Sequence, residues 1–304
     1  MSGGGSKVTK ILSSALHGLV SFTAGGLLVL KAAPHVFPHQ LCMNPTELKD
    51  HSGTIQIPER FRENLKDVLA KLGIAGHESK ITLFICSGFS PLSAGSTKLP
   101  NGAVIGLPRS FLFENNQDVV NSGITFGKRQ INWKSKLGIK LKESLVATNG
   151  NIAFLLGHEL CHIRSLDCKY QISLAPAWLY ATYRLAWATN RVLPRIATVN
   201  AIVKLLVIAG SYQAFCVTNQ SILHRQEFRA DALSAECDVQ MALGGVDYTV
   251  KRLKLNTVLR ALQGPAGELR YSEEGNERKS YSHPKLTERL RQLEEILSKK
   301  LQGR

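Results

Sequence analysis

The sequence predicts an α+β fold that is predominantly helical, with a small sheet beside one central helix. Three observations carry this. Apolar residues recur at helical spacing in several long stretches, including residues 57–74, 224–243 and the C-terminal end. Only two short apolar runs, residues 80–88 and 102–108, are bounded by turn residues and read as strands. And "FLLGHELCHIRSLD", residues 154–167, sets two histidines four apart on a stretch whose preceding residues are apolar.

From the N-terminus, "MSGGGS" is the one linker-like piece. Between Lys10 and Lys31 lies "ILSSALHGLVSFTAGGLLVL", uncharged while His17 is neutral. About 20 helical residues span a bilayer core, so the length fits a membrane anchor. Ser, Thr, His and Gly dilute the apolar signal, and a signal peptide or a buried helix fits the same stretch. The best cleavage-like site, "LKAAPH", is a poor one, which favours an uncleaved anchor or membrane-dipping helix. Lys7 and Lys10 would hold the N-terminus on the cytoplasmic face if the run spans. Residues 1–50 are thus an N-terminal apolar segment and residues 51–304 the main domain.

In the main domain, "IPERFRENLKDVLAKLGI" places Phe61, Leu65, Val68, Leu69 and Leu72 on one side of a helix. The strands "KITLFICSG" and "GAVIGLP" follow, then "KLGIKLKESLVATNGNIAFLLGHELCHIRSL", which leads into the central helix. Residues 172–217 are apolar again. Trp178, Tyr180, Tyr183 and Trp187 are interface-type aromatics, and Arg184, Arg191 and Arg195 have the reach to snorkel. Pro194 divides this region into a membrane-associated helical hairpin; two core helices are the competing reading, because charge at mid-span is costly in lipid. "HRQEFRADALSAECDVQMAL" is a separate strong helix, ended by Gly244-Gly245. Residues 264–282 are polar and charged, and read as a flexible loop open to self-cleavage. "SHPKLTERLRQLEEILSKKL" closes the chain as an amphipathic helix with Leu286, Leu290, Leu293 and Leu297 on one face.

The balance of 38 basic to 23 acidic residues, net +15, favours an anionic partner. The basic residues are scattered and form no nucleic-acid motif, so a membrane surface is favoured over nucleic acid; a merely soluble basic surface explains the charge equally well. The six cysteines make no CxxC pair and no disulfide framework, and read as reduced thiols.

The chemistry lies in the histidine helix. Positions i and i+4 share a helix face, so His158 and His162 can each present a ring nitrogen to one metal. Glu159, rotated about 100° from His158, can lean over the site and accept a proton from water. This is the H-E-x-x-H pattern of zinc peptidases; a helix whose histidines only pack is the alternative. A catalytic zinc needs a third protein ligand, and Glu227 in "HRQEFRAD" is the candidate, 65 residues past His162 (227 − 162). Asp231, four residues on, can orient a ligand histidine through its other ring nitrogen. A solvated, charged helix face is the competing reading for both carboxylates.

"GHELCH", then "RQEFRADALSAE", then "SHPKLTERLRQLEEI", in this order, resembles the HtpX-like and CAAX-prenyl-protease zinc metallopeptidases. The resemblance covers roughly residues 81–297. It implies a zincin-like metallopeptidase domain, with one zinc held by His158, His162 and Glu227, Glu159 as general base and Asp231 orienting a histidine. It also implies an edge strand that holds an extended substrate, placed at "PLSAGSTKLPNGAVIGLP"; where that family has an N-A-F-A-like stretch, this chain has "SAGS". In such enzymes the loop holding His283 approaches the site, where His283 would stabilise the oxyanion or cap the metal; as a plain residue, His283 precedes a helix start set by Pro284. Arg289 either pairs with a carboxylate or is solvated.

The expected function is zinc-dependent hydrolysis of peptide bonds in a polypeptide substrate, in misfolded or membrane-associated proteins. The alternative is a non-catalytic zinc-bearing scaffold at the membrane, for which the altered edge strand speaks and the intact Glu159 does not. A nucleic-acid binder rests on net charge alone.

Overall fold

The capping residues written into the chain set where its helices begin. Thr148 starts the central helix with a capping box, its hydroxyl accepting from Asn151 N while the Asn151 side chain accepts from Thr148 N. Asn115 makes a second capping box, and the Ser135 and Asp238 side chains each accept from one backbone N–H at the start of a helix. The computed structural model describes residues 4–50, 53–126, 129–192 and 196–303. The helices are α1 Gly4–Val36, α2 Asn44–Thr46, α3 Glu59–Lys71, α4 Asn116–Asn121, α5 Lys136–Leu145, α6 Asn149–Ser165, α7 Cys168–Val192, α8 Ala197–Ala235, α9 Val239–Gln263, α10 Pro265–Arg270 and α11 Leu286–Gln302. The strands are β1 Lys49–Asp50, β2 Gly53–Thr54, β3 Ile81–Cys86, β4 Leu92–Gly95, β5 Ala103–Pro108, β6 Thr125–Phe126 and β7 Arg129–Gln130. The predicted class, predominantly helical α+β with a small sheet, is the observed one.

The chain forms two compact units. The first comprises residues up to His35 and Asp167–Ile222: most of α1, α7 and the first part of α8. Segments Ser13–Val36 and Ala197–Ala235 are long and apolar enough to cross a membrane, with mean hydropathies of 1.5 and 1.6 and none of the scored stretch buried. Pro194 and Arg195 lie outside the described residues, and Lys7, Lys10 and Arg191 are described in backbone only.

The second unit comprises Val36–Leu166 and Leu223–Arg304. Its three-stranded sheet has the order β3-β5-β4, with β3 parallel to β5 and β4 antiparallel to it. All six residues of β5 are buried, as a central strand covered on both faces requires. Phe61, Leu65, Val68 and Leu69 of α3 share a core with Ile85, Ile105 and Leu107 of the sheet and with Ile152, Leu155, Leu156 and Leu160 of α6. α6 is buried on nearly every side from Asn151 to Cys161, so its polar residues there are enclosed by design.

Three expectations are corrected. Residues 224–243 are not one helix. α8 runs without interruption from the apolar stretch through Ala235, and α9 starts afresh behind its cap Asp238, whose side chain accepts from Met241 N at 2.7 Å. Nothing between Val217 and His224 breaks a helix, since no Gly or Pro lies there; the shift from apolar to charged marks a change of surroundings only.

Gly244-Gly245 does not end a helix either, but lies inside α9. A Cβ on Gly244 would come within 2.0 Å of Gly150 O, and one on Gly245 within 2.7 Å of the Phe154 ring. The pair is a notch that lets α9 lie against α6.

Residues 264–282, expected as a loop, are one only in part: Pro265–Arg270 form α10. The remainder is tied by side chains and backbone: Asn256 Nδ2 donates to Gly275 O at 2.8 Å, Asn276 Nδ2 to Thr287 Oγ1 at 3.1 Å, and the backbones of Tyr271 and Glu277 form an antiparallel β-bridge. Tyr271 and Asn276 are buried. None of the six cysteines is in a disulfide.

Candidate metal centre

Three elements of the second unit converge on α6. Gly157 lets the second half of α8 approach, since a Cβ there would meet Ser234 Oγ at 2.4 Å. Ser234 instead donates to Phe154 O at 2.6 Å. This close approach brings Glu227 and Asp231 to the histidine face of α6. On another side β4 is tied to α6 where Ser96 Oγ donates to Ile163 O at 3.2 Å. α11 supplies Arg289.

His158, His162 and Glu227 each offer a ligand atom, and these atoms all lie within 4.8 Å of one another. Their spacing suits one small cation. Tetrahedral bonds of about 2.0–2.1 Å set ligand atoms roughly 3.3 Å apart. His158 Nε2 is 3.1 Å from His162 Nε2, and His162 Nε2 is 3.4 Å from Glu227 Oε1. Two imidazole nitrogens and one carboxylate oxygen are a donor set that zinc accepts.

Asp231 fixes the tautomer of one of them. Its Oδ1 lies 2.8 Å from His158 Nδ1, so Nδ1–H donates and the Nε2 lone pair faces the cluster. Arg289 holds Asp231 from the far side in a two-pronged pair, Nε to Oδ2 at 2.6 Å and Nη2 to Oδ1 at 2.7 Å. Its Nη1 reaches Glu227 Oε2 at 3.0 Å. His283, although exposed, places Nδ1 3.0 Å from the same Oε2. Glu227 Oε2 is therefore engaged by Arg289 and His283, while Oε1 faces His162.

The charges follow from this geometry. Burial disfavours the Glu227 carboxylate. Hydrogen bonds from His162 and His283, with the charges of Arg289 and His158, nonetheless hold its pKa well below the ordinary value. Asp231 is fully buried, which also disfavours charge, but Arg289 and His158 hold its pKa below the ordinary value. Burial works against the Arg289 cation, and the two carboxylates more than restore it, raising its pKa.

Glu159 is buried one residue on from His158. Its Oε2 accepts a hydrogen bond from Ser93 Oγ of β4 at 2.5 Å. Ser93 was missed as an individual residue in the sequence; its only signal was the departure of "SAGS" from the expected edge-strand pattern. All seven residues singled out from the sequence, Arg289 among them, lie in this neighbourhood. His283 contacts Glu227 rather than the histidine pair.

The sequence profile of Peptidase family M48 matches residues 131–297, more than half of the 304. The chain belongs to this family. The resemblance read from its motifs is thereby borne out. Members of the M48 family are generally zinc-dependent metalloproteases, and this member carries a His/Glu cluster able to hold a metal.

Relatives matched over most of their length carry another name. Transmembrane protein 177 of Homo sapiens is 29% identical over 267 residues, covering 85% of this chain and 84% of that one. The Mus musculus protein of the same name is 28% identical over 267 residues, covering 84% and 82%. That of Danio rerio is 24% identical over 275 residues, covering 89% and 88%. No solved structure matches the chain. With relatives named as transmembrane proteins and two helices of spanning length, this M48 chain is membrane-associated.

Proposed function

We propose that the chain is a zinc-dependent endopeptidase acting on misfolded or membrane-associated polypeptides. The observation that carries this reading is the pairing of a metal-ligating trio, His158, His162 and Glu227, with a buried carboxylate, Glu159, on the neighbouring position of the same helix. A site that only held a metal would have no use for that carboxylate.

His158, His162 and Glu227 hold one zinc in this reading. Zinc there supplies a Lewis acid that polarises the scissile carbonyl and acidifies water to near neutrality. Asp231 keeps His158 in the tautomer that leaves Nε2 for the metal. Glu159 takes a proton from the attacking water and returns it to the leaving amine, using Oε1 because Oε2 is engaged by Ser93. His283 lies close enough to Glu227 to act on the same centre, as an oxyanion donor.

Substrate is held along β4. Ser96 N donates to Gly102 O at 3.0 Å, so alternate residues of β4 bond to β5 and Ser93 points its N–H and C=O the other way. A peptide added there as a further strand runs past Glu159.

A second reading, a non-catalytic zinc-bearing scaffold, is favoured by "SAGS" in β4, which lacks the larger side chains expected of a substrate-holding strand. Metal removal separates the two. Purified full-length protein, chelated and then reloaded with one equivalent of zinc, should lose and regain cleavage of an unfolded protein such as reduced casein. Zinc binding without cleavage under any condition would leave the scaffold; a chain that binds no zinc would refute both.

A further inference from the structure

We propose that α7 crosses the bilayer as the middle helix of a three-helix membrane bundle, so that the chain crosses three times and its two termini lie on opposite faces. Length and composition alone single out α1 and α8 as spans and leave α7 aside. That count cannot be complete. The second unit is built from residues on both sides of the intervening stretch, Val36–Leu166 and Leu223–Arg304. They share one core: Ser234 Oγ bonds Phe154 O, and Gly244 and Gly245 sit against Gly150 and Phe154. A folded core does not straddle lipid, so residues 167–222 leave and return on the same face and cross an even number of times. If α8 crosses, α7 crosses too.

α7 is long enough. Its 25 residues extend about 37 Å, against a hydrocarbon core of about 30 Å. Its polar groups are met by its neighbours, as lipid demands. Trp178 Nε1 donates to Ser211 O and to Ser211 Oγ, both at 3.0 Å, and Thr182 Oγ1 lies 2.5 Å from Ser211 Oγ. Further along, Asn200 Nδ2 donates to Asn190 Oδ1 at 2.9 Å. The partners on α8 fall in number as those on α7 rise, from Trp178 with Phe215 to Asn190 with Asn200, which is an antiparallel hairpin. On its other side α7 meets α1, where the His17 ring lies 6.1 Å from Tyr180 and 5.7 Å from Tyr183.

The charges that weaken the hydropathy signal fit this placement. Arg184 lies eight residues before the end of α7 (192 − 184), and Lys204 seven after the start of α8 (204 − 197). Both are therefore near the same end of the hairpin, at a depth from which long side chains snorkel to the headgroups. Large apolar and aromatic residues face outward along both helices: Leu185, Leu205, Leu206 and Tyr212 are exposed, with Gln213 an exposed polar residue among them.

This inference does not rest on the peptidase reading, and its test needs no activity. Full-length chain in sealed membrane vesicles would carry an epitope at the N-terminus, between residues 192 and 196, or at the C-terminus, each read by protease protection. The first two should share one side and the third should lie on the other. An internal epitope that behaves like the C-terminal one overturns the proposal. Tyr212→Cys gives a reading that leaves the connection intact. A membrane-impermeant maleimide should add no label over wild type in sealed or opened vesicles; labelling in either would place α8 outside the lipid and refute the three crossings.

Discussion

The Ser93 hydroxyl donates to Glu159 Oε2 across 2.5 Å, joining the edge strand to the carboxylate beside the His158, His162 and Glu227 cluster. The bond fixes the rotamer of Glu159 and leaves Oε1 for a water. Ser93→Ala should lower kcat about tenfold, equivalent to about 1.4 kcal/mol of transition-state stabilisation, with KM and zinc content unchanged. Ser93→Thr, which keeps the hydroxyl, should recover most of the loss. Steady-state cleavage with metal analysis checks this. A Ser93→Ala enzyme within twofold of wild type would remove Ser93 from the mechanism.

Arg289 is bonded to two buried carboxylates, with side-chain exposures of 11% for Arg289, 10% for Glu227 and 0% for Asp231. Arg289→Met should therefore destabilise the metal-free second unit by about 3–5 kcal/mol, because it leaves charge buried without a partner. Thermal unfolding of the apo-protein measures it. A loss below about 1 kcal/mol would show that the carboxylates find other partners or protonate without cost.

Stability of the second unit should also fall toward both pH extremes through one pair. Lys71 Nζ lies 2.5 Å from Asp238 Oδ2, and Asp238 caps α9. Partial burial raises the Asp238 pKa, but the hydrogen bond from Lys71 outweighs it and the folded value lies below the ordinary one. A depressed carboxylate contributes stability above its unfolded pKa of about 3.9, and that contribution is lost as pH falls through the folded value. Lys71 has the opposite sign: desolvation lowers its pKa, the bonds to Asp238 and Asp67 outweigh that and leave it raised, and its contribution is lost as pH rises through the folded value. Asp238→Ala should cost about 1 kcal/mol at neutral pH and flatten the acid limb of the melting profile. An unchanged acid limb would assign it to other carboxylates.

Local pattern carried most of the fold and the ligand candidates. α3, β3 and β5 were legible because one apolar face or one buried run marks each, and the i, i+4 histidines because helical spacing alone aligns them. What was not legible depends on partners distant in sequence. Gly244-Gly245 reads as a stop locally, and only Gly150 and Phe154 make it a packing notch. The order in residues 264–282 comes from Asn256 and Thr287, which lie outside the segment. Ser93 is one serine among many until β4 pairs beside β5 and brings it to Glu159. The expectation that Asp231 faces a histidine rested on helical spacing; for Arg289 the sequence left a carboxylate partner or solvent open, and only the fold names Asp231, 58 residues before it (289 − 231), and Glu227 as its partners.

The most direct test of the central claim is cleavage of reduced casein by wild type and by Glu159→Gln, purified full-length and matched in zinc content. The account predicts cleavage by wild type and a loss of at least a hundredfold in the variant, the low end of what a positioned acid–base group contributes. Equal activity in the two would contradict it and place the chemistry elsewhere. Equal inactivity with zinc bound would contradict it as well, and leave the metal site to the scaffold.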